Sequence, residues 1–136
     1  MTVSESSFLF TYGTLMKGFD NPFSARLQES SYFQGLGRIP GKLYRVSWYP
    51  GAVYEPQASE KVYGEVYKPH NPTDLFMELD DYEDVSEDEK ASLYLRRVVP
   101  VTLSNNEILH CWAYLYNQPV AGLELIKNGN FRNMGG

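Results

Sequence analysis

Residues 94–116 read YLRRVVPVTLSNNEILHCWAYLY. Branched and aromatic side chains fill two runs, Tyr94 to Leu103 and Ile108 to Tyr116, separated by four polar residues. Such runs are strands, and Ser104 to Glu107 is their hairpin turn. Side chains alternate along a strand, so Arg96 and Arg97 point to opposite faces and at most one faces a site. His110, Trp112 and Tyr114 fall in phase on one face. We read the Trp112, Tyr114, Tyr116 stripe as core and His110 as structural.

Working outward, Ser7 to Gly13 (SFLFTYG) is a short strand ending at glycine, followed by a loop from Thr14 to Asp20. Asn21-Pro22 places a capping side chain before a proline at the first helical position, which predicts a helix to about Glu29. Tyr32 to Val46 has strand character broken by Gly35, Gly37, Pro40 and Gly41, which predicts bulges or a bend. Tyr49-Pro50-Gly51 is a turn into a short strand, Ala52 to Glu55, and Val62 to Tyr67 is another strand. Asn71-Pro72 repeats the capping pattern and opens a second helix, ending at about Tyr82 or Glu83. Ser86 to Lys90 is a charged loop. The sum is an α+β fold: a curved or barrel-like mixed sheet of about six strands with two or more short helices. Strands and helices do not alternate regularly, which argues against a doubly wound sheet. At 136 residues the chain is expected to form one domain over 1–136. Its tail from Gly122, polar with one aromatic at Phe131, either packs over a pocket or moves.

The charge balance excludes several roles. A net charge of −5 disfavours a nucleic-acid surface, which is usually basic. No long apolar run is present to span a membrane. Met1 to Ser7 lacks the charged start and apolar stretch of a secretion signal. The single cysteine, Cys111, has no internal disulfide partner, which fits a reducing cytoplasm. His70 and His110 are the only histidines and stand far apart, so a zinc site is not expected. Gly35-Leu36-Gly37 lacks the helix start of a dinucleotide motif. The unusual feature is aromatic: 11 Tyr, 7 Phe and 2 Trp, 15% of the chain. Tyrosine suits sheets and lined pockets, and its hydroxyl needs a partner when buried.

Six acids lie between Asp74 and Asp84 on the second helix. With Leu75 set at 0° and about 100° per residue, Leu79, Phe76 and Tyr82 form the apolar stripe. Glu83 falls between Leu79 and Phe76, while the other five spread over the opposite arc. One carboxylate therefore points toward the core or a pocket, provided the helix reaches it. Burial raises the pKa of such a group and suits it to general acid–base work. The plainer alternative is that the helix frays at Tyr82 and Glu83 meets solvent or an arginine such as Arg96. A second feature is Tyr12-Gly13-Thr14-Leu15, directly after the first strand. Glycine there permits a turn whose amides hold an anion or oxyanion, although most such turns only redirect the chain.

These segments together resemble the γ-glutamylcyclotransferase-like superfamily, including the AIG2-like and γ-glutamylamine cyclotransferase proteins. Phe10 to Leu15 is similar to its opening strand and YGTL loop, and Gly35 to Leu43 to its glycine-punctuated second strand. Tyr49 to Ala52 is similar to its YPA turn and Val62 to Tyr67 to its V.GE.Y strand. Leu79 to Glu83 resembles LD.YEG, Tyr94 to Val101 resembles Y.R..V.V, and Trp112 to Tyr116 resembles W.Y.Y. Asp84 stands where the family has glycine, and Phe131 where many members have tryptophan.

The resemblance implies a fold and a chemistry. The catalytic glutamate falls on Glu83. The loop that binds the γ-glutamyl group falls on Tyr12, Gly13, Thr14 and Leu15, and a substrate-contacting tyrosine on Tyr94. The implied reaction is intramolecular aminolysis, in which the substrate's own α-amine attacks its γ-glutamyl carbonyl. 5-Oxoproline forms and an amine leaves. The implied partner is a small γ-glutamyl molecule, with no cofactor, metal, nucleic acid or membrane; the sequence sets neither the leaving amine nor the oligomeric state. The alternative role is a non-catalytic module of the same fold that binds a small carboxylate.

Overall fold

The computed structural model describes residues 7–13, 16, 21–47, 49–82 and 89–131. Strand β1 (Leu9–Thr11) is followed by helix α1 (Pro22–Ser30), strand β2 (Ser31–Arg45), β3 (Pro50–Tyr54), β4 (Lys61–Pro69) and helix α2 (Pro72–Tyr82). A single 3₁₀ turn (Glu89–Ala91) precedes β5 (Tyr94–Leu103), β6 (Ile108–Tyr116) and the two-residue β7 (Glu124–Leu125). The long hairpin spans the two runs expected of it, and Asn106 takes a positive φ of 71° in its turn, a conformation that asparagine tolerates.

Both helices start where their caps predict. The Asn21 side chain accepts from the Ser24 amide at 2.8 Å ahead of Pro22. Asn71 accepts from the Asp74 amide at 3.3 Å ahead of Pro72. On α2, Leu75, Phe76 and Leu79 are buried as the wheel requires, and Met77 is exposed.

The strands run β2-β4-β1-β6-β5, and pairing of Gly37 with Leu103 and Arg38 with Thr102 brings β5 back to β2. The result is a closed barrel of five strands, with β3 and β7 added on the outer half of β2. All pairings are antiparallel except β1 with β6, so the sheet is mixed. Strand β2 serves both halves by bending. Its register shifts between Phe33 and Gly35, and Gly41 sits at φ 154°, where a Cβ would stand 2.2 Å from the Val53 carbonyl oxygen. Only glycine lets the two backbones approach so closely.

Two apolar layers hold the fold. The barrel interior contains Phe10, Ile39, Leu43, Val62, Val66, Val99, Val101, Cys111 and Ala113. The outer face of the sheet meets the helices through Leu9, Leu27, Tyr67, Leu75, Phe76, Leu79, Tyr94 and Tyr114. Residues 122–131 pack against the barrel. Ile126 and Phe131 bury into the interior cluster, the Ile126 amide donates to the Leu43 carbonyl at 2.7 Å, and the Tyr63 amide donates to the Gly129 carbonyl at 2.8 Å. Composition hides this because two buried anchors in a polar stretch carry no period. No helix among the described residues is long and apolar enough to cross a membrane.

Candidate active site

The chain leaves β1 through Tyr12 and Gly13. The Tyr12 ring lies in the barrel interior. Its hydroxyl accepts from the Ala52 amide at 3.1 Å and donates to the Tyr114 carbonyl. Gly13 faces Pro50, where a Cβ would come within 3.0 Å of the proline ring. The Met16 amide donates to the Gly13 carbonyl at 3.1 Å, and the Ser24 hydroxyl of α1 donates to the Met16 carbonyl at 3.0 Å. Thr14 and Leu15 lie outside the described residues.

Tyr94 comes to the same place from the start of β5. It is buried, and its hydroxyl donates to the Pro50 carbonyl at 2.5 Å. Its ring meets Tyr116 edge-on at 5.7 Å between centroids and stands 6.4 Å from Tyr49. Gly51 admits this packing, because a Cβ there would lie 2.7 Å from Tyr116. Burial, and then the neighbouring Tyr49, raise the Tyr116 phenol above its ordinary pKa. Three of the expected residues, Tyr12, Gly13 and Tyr94, thus converge on the segment Pro50-Gly51-Ala52. Tyr94 meets that segment with its proton directed at the Pro50 carbonyl.

Glu83 lies outside the described residues, one position beyond the last residue of α2. The turn before it is firmly held. Asp80 accepts from Arg96 at both carboxylate oxygens, at 2.8 and 3.2 Å, and from the Tyr114 hydroxyl at 2.7 Å. The Arg96 guanidinium also lies against both the Phe76 and Trp112 rings, 4.7 and 4.5 Å from their centroids. Arg96 and Tyr114 are direct cross-strand neighbours, so one carboxylate caps both. Sequence reasoning put Asp80 among the solvated acids. Its place on the wheel, about 40° from Phe76, borders the apolar stripe, and that was the available signal. Tyr114 links the two sides of the region: its carbonyl holds Tyr12 and its hydroxyl holds Asp80.

A further acid escaped the sequence reading. Glu65 is only 5% exposed on β4, opposite Thr11, and accepts from the Tyr67 hydroxyl at 2.7 Å. Cys111 is shut inside the barrel, and burial pushes its thiol up to about 12, which removes the thiolate at neutral pH. Among the described residues no group of three His, Cys, Asp or Glu side chains has the proximity to hold a metal ion.

Comparison with known proteins adds to this geometry. The family model "Gamma-glutamyl cyclotransferase, AIG2-like" matches residues 9–133. A gamma-glutamylcyclotransferase family protein, ytfP of Citrobacter rodentium, is 33% identical over 90 residues, covering 66% of this chain and 66% of that protein. The chain thus spans just under two thirds of the curated relatives it matches. An AIG2-like protein from Mus musculus superposes with a TM-score of 0.75 at 23% identity, covering 95% of this chain and 90% of the other. YkqA from Bacillus subtilis superposes at 0.69 with 23% identity, covering 94% of this chain and 40% of that longer one. These two solved structures share the fold.

Proposed function

This chain belongs to the gamma-glutamyl cyclotransferase, AIG2-like family, and we propose that it releases 5-oxoproline and an amine from a γ-glutamyl amine or peptide. The observation that carries this reading is the meeting of Tyr12, Gly13 and Tyr94 at Pro50-Gly51-Ala52. This wall forms in a chain whose family match runs through Glu83. The tight packing holds Tyr12 and Gly13, where the chain leaves β1, before any ligand arrives. Preorganised amides cost no rearrangement at the moment of reaction.

The chemistry asks little of the protein. The substrate's α-amine attacks its own γ-carbonyl carbon, a ring C–N bond forms, and the bond to the leaving nitrogen breaks. Holding the γ-glutamyl chain folded supplies proximity, worth an effective molarity of about 10⁵ M or more in favourable cases. Glu83 takes one proton from the ammonium and hands it to the leaving nitrogen, then carries the second proton shed by the ring nitrogen to the departing amine, which leaves as an ammonium ion. The Gly13 to Leu15 amides hold a carboxylate or the developing oxyanion, and Tyr94 borders the ligand. No protein nucleophile is needed, and the buried Cys111 is poorly suited to be one. A cytoplasmic location fits the single buried thiol.

The test is 5-oxoproline formation across a panel of γ-glutamyl amines and dipeptides. Glu83→Gln is expected to lower turnover by about 10²-fold or more while the protein stays folded. Wild-type rates from the purified variant would overturn the assignment of Glu83. Silence of the wild type across the panel, together with a thermal shift on adding 5-oxoproline or glutamate, would replace the enzyme with a binding module.

A further inference from the structure

Helix α1 holds the chain after β1 at Met16, where Ser24 donates to the Met16 carbonyl at 3.0 Å and is 2% exposed. One turn later on the same face, Gln28 donates its side-chain amide to the Tyr67 hydroxyl at 2.9 Å. That hydroxyl donates in turn to Glu65 at 2.7 Å. Glu65 is the cross-strand partner of Thr11, the last residue of β1, and both side chains are buried. Directly opposed residues in an antiparallel pair stand about 5 Å apart. A run of hydrogen bonds therefore leads from Glu65, beside Thr11 in the sheet, through Tyr67 to the half-buried Gln28 of α1, and Ser24 of the same helix face holds Met16. Leu27, between the two polar contacts, is fully buried and keeps the helix seated.

We propose that Glu65 is a positioning residue for the loop that leaves β1. By accepting from Tyr67 it fixes Gln28, and α1 then carries that placement to Met16. Met16 is thus held by the same helix face that Gln28 anchors to the sheet. A carboxylate suits the task, since an oxygen of an amide can replace it as acceptor but an apolar side chain cannot. Glu65 takes no part in the proton transfers of the scheme above. Its effect on turnover rests on the cyclotransferase reading; its effect on the loop does not.

Three variants test this: Glu65→Met, which removes the acceptor at similar length, Glu65→Gln, which keeps one, and Tyr67→Phe, which removes the hydroxyl. In ligand-free protein, hydrogen exchange at the Tyr12, Gly13 and Met16 amides is expected to speed up about tenfold in Glu65→Met and Tyr67→Phe, the cost of about one lost hydrogen bond. The Val99 and Val101 amides of the β5–β6 hairpin should be unchanged, and Glu65→Gln should restore wild-type exchange. With a γ-glutamyl substrate, KM should rise about tenfold in the same two variants while kcat moves less. Unchanged exchange at the three loop amides in Tyr67→Phe would overturn the proposal, even if Glu65→Met fails to fold. So would a Glu65→Gln protein as fast-exchanging as Glu65→Met. If the wild type makes no 5-oxoproline at all, the cyclotransferase reading falls, and the exchange rates still decide the role of Glu65.

Discussion

Inside the barrel, β5 and β6 present Val99, Val101, Cys111 and Ala113. On the outer face the same two strands present Tyr94, Arg96, Trp112, Tyr114 and Tyr116, most of them packed under α2. The faces differ because of space and water. The interior of a five-stranded barrel is narrow, and from these two strands it takes branched or small side chains with no hydroxyl to satisfy. The outer layer lies between sheet and helix, where large rings fit and three buried hydroxyls have partners: Tyr94 to Pro50, Tyr114 to Asp80, Tyr67 to Glu65. The aromatic excess is therefore the signature of the outer layer. The candidate site stands where both layers meet, since Tyr12 sends an interior ring's hydroxyl to the Tyr114 carbonyl.

The contrast predicts unequal costs. Phe10→Ala would open a void in the filled interior and should destabilise by about 3–5 kcal/mol, read as a shift in the denaturant midpoint. A loss well under 1 kcal/mol would mean that the interior collapses to fill the space, and is looser than its burial suggests. Arg96→Met keeps an apolar stem against Phe76 and Trp112 but removes the pair with Asp80. That pair is partly buried, so the expected loss is about 1–3 kcal/mol. A loss as large as that of Phe10→Ala would put the polar outer layer on an equal footing with the core. Arg26→Met breaks a pair between α1 and α2 in which both side chains are more than 40% exposed. It should change stability by under about 0.5 kcal/mol, and less at high salt. A larger effect would mean that the helices are held to each other, and not only to the sheet beneath them.

Much of this was legible in the residues. The hairpin of 94–116, both capped helices and the apolar stripe of α2 follow from periodicity and capping, which act over a few residues. The glycines of β2 announced its bend. Strand β7 was not legible, because two residues carry no alternation and its pairing with Tyr44 and Arg45 is wholly non-local. Asp80 and Glu65 were missed for a related reason. A charged residue looks solvated until the side chains that hold it, Arg96 and Tyr114 for one and Tyr67 for the other, arrive from distant strands.

The sequence by itself determined the longer strands, the two capped helices, the apolar stripe of α2 and the family, since each rests on local pattern or on motifs in order along the chain. Closure of the barrel through β2 and β5 was decided by tertiary structure alone. So was the gathering of Tyr12, Gly13 and Tyr94 around Pro50, and the commitment of their hydroxyls to backbone carbonyls. Those contacts join residues 37 to 102 positions apart, and nothing local encodes which distant carbonyl a buried hydroxyl will find.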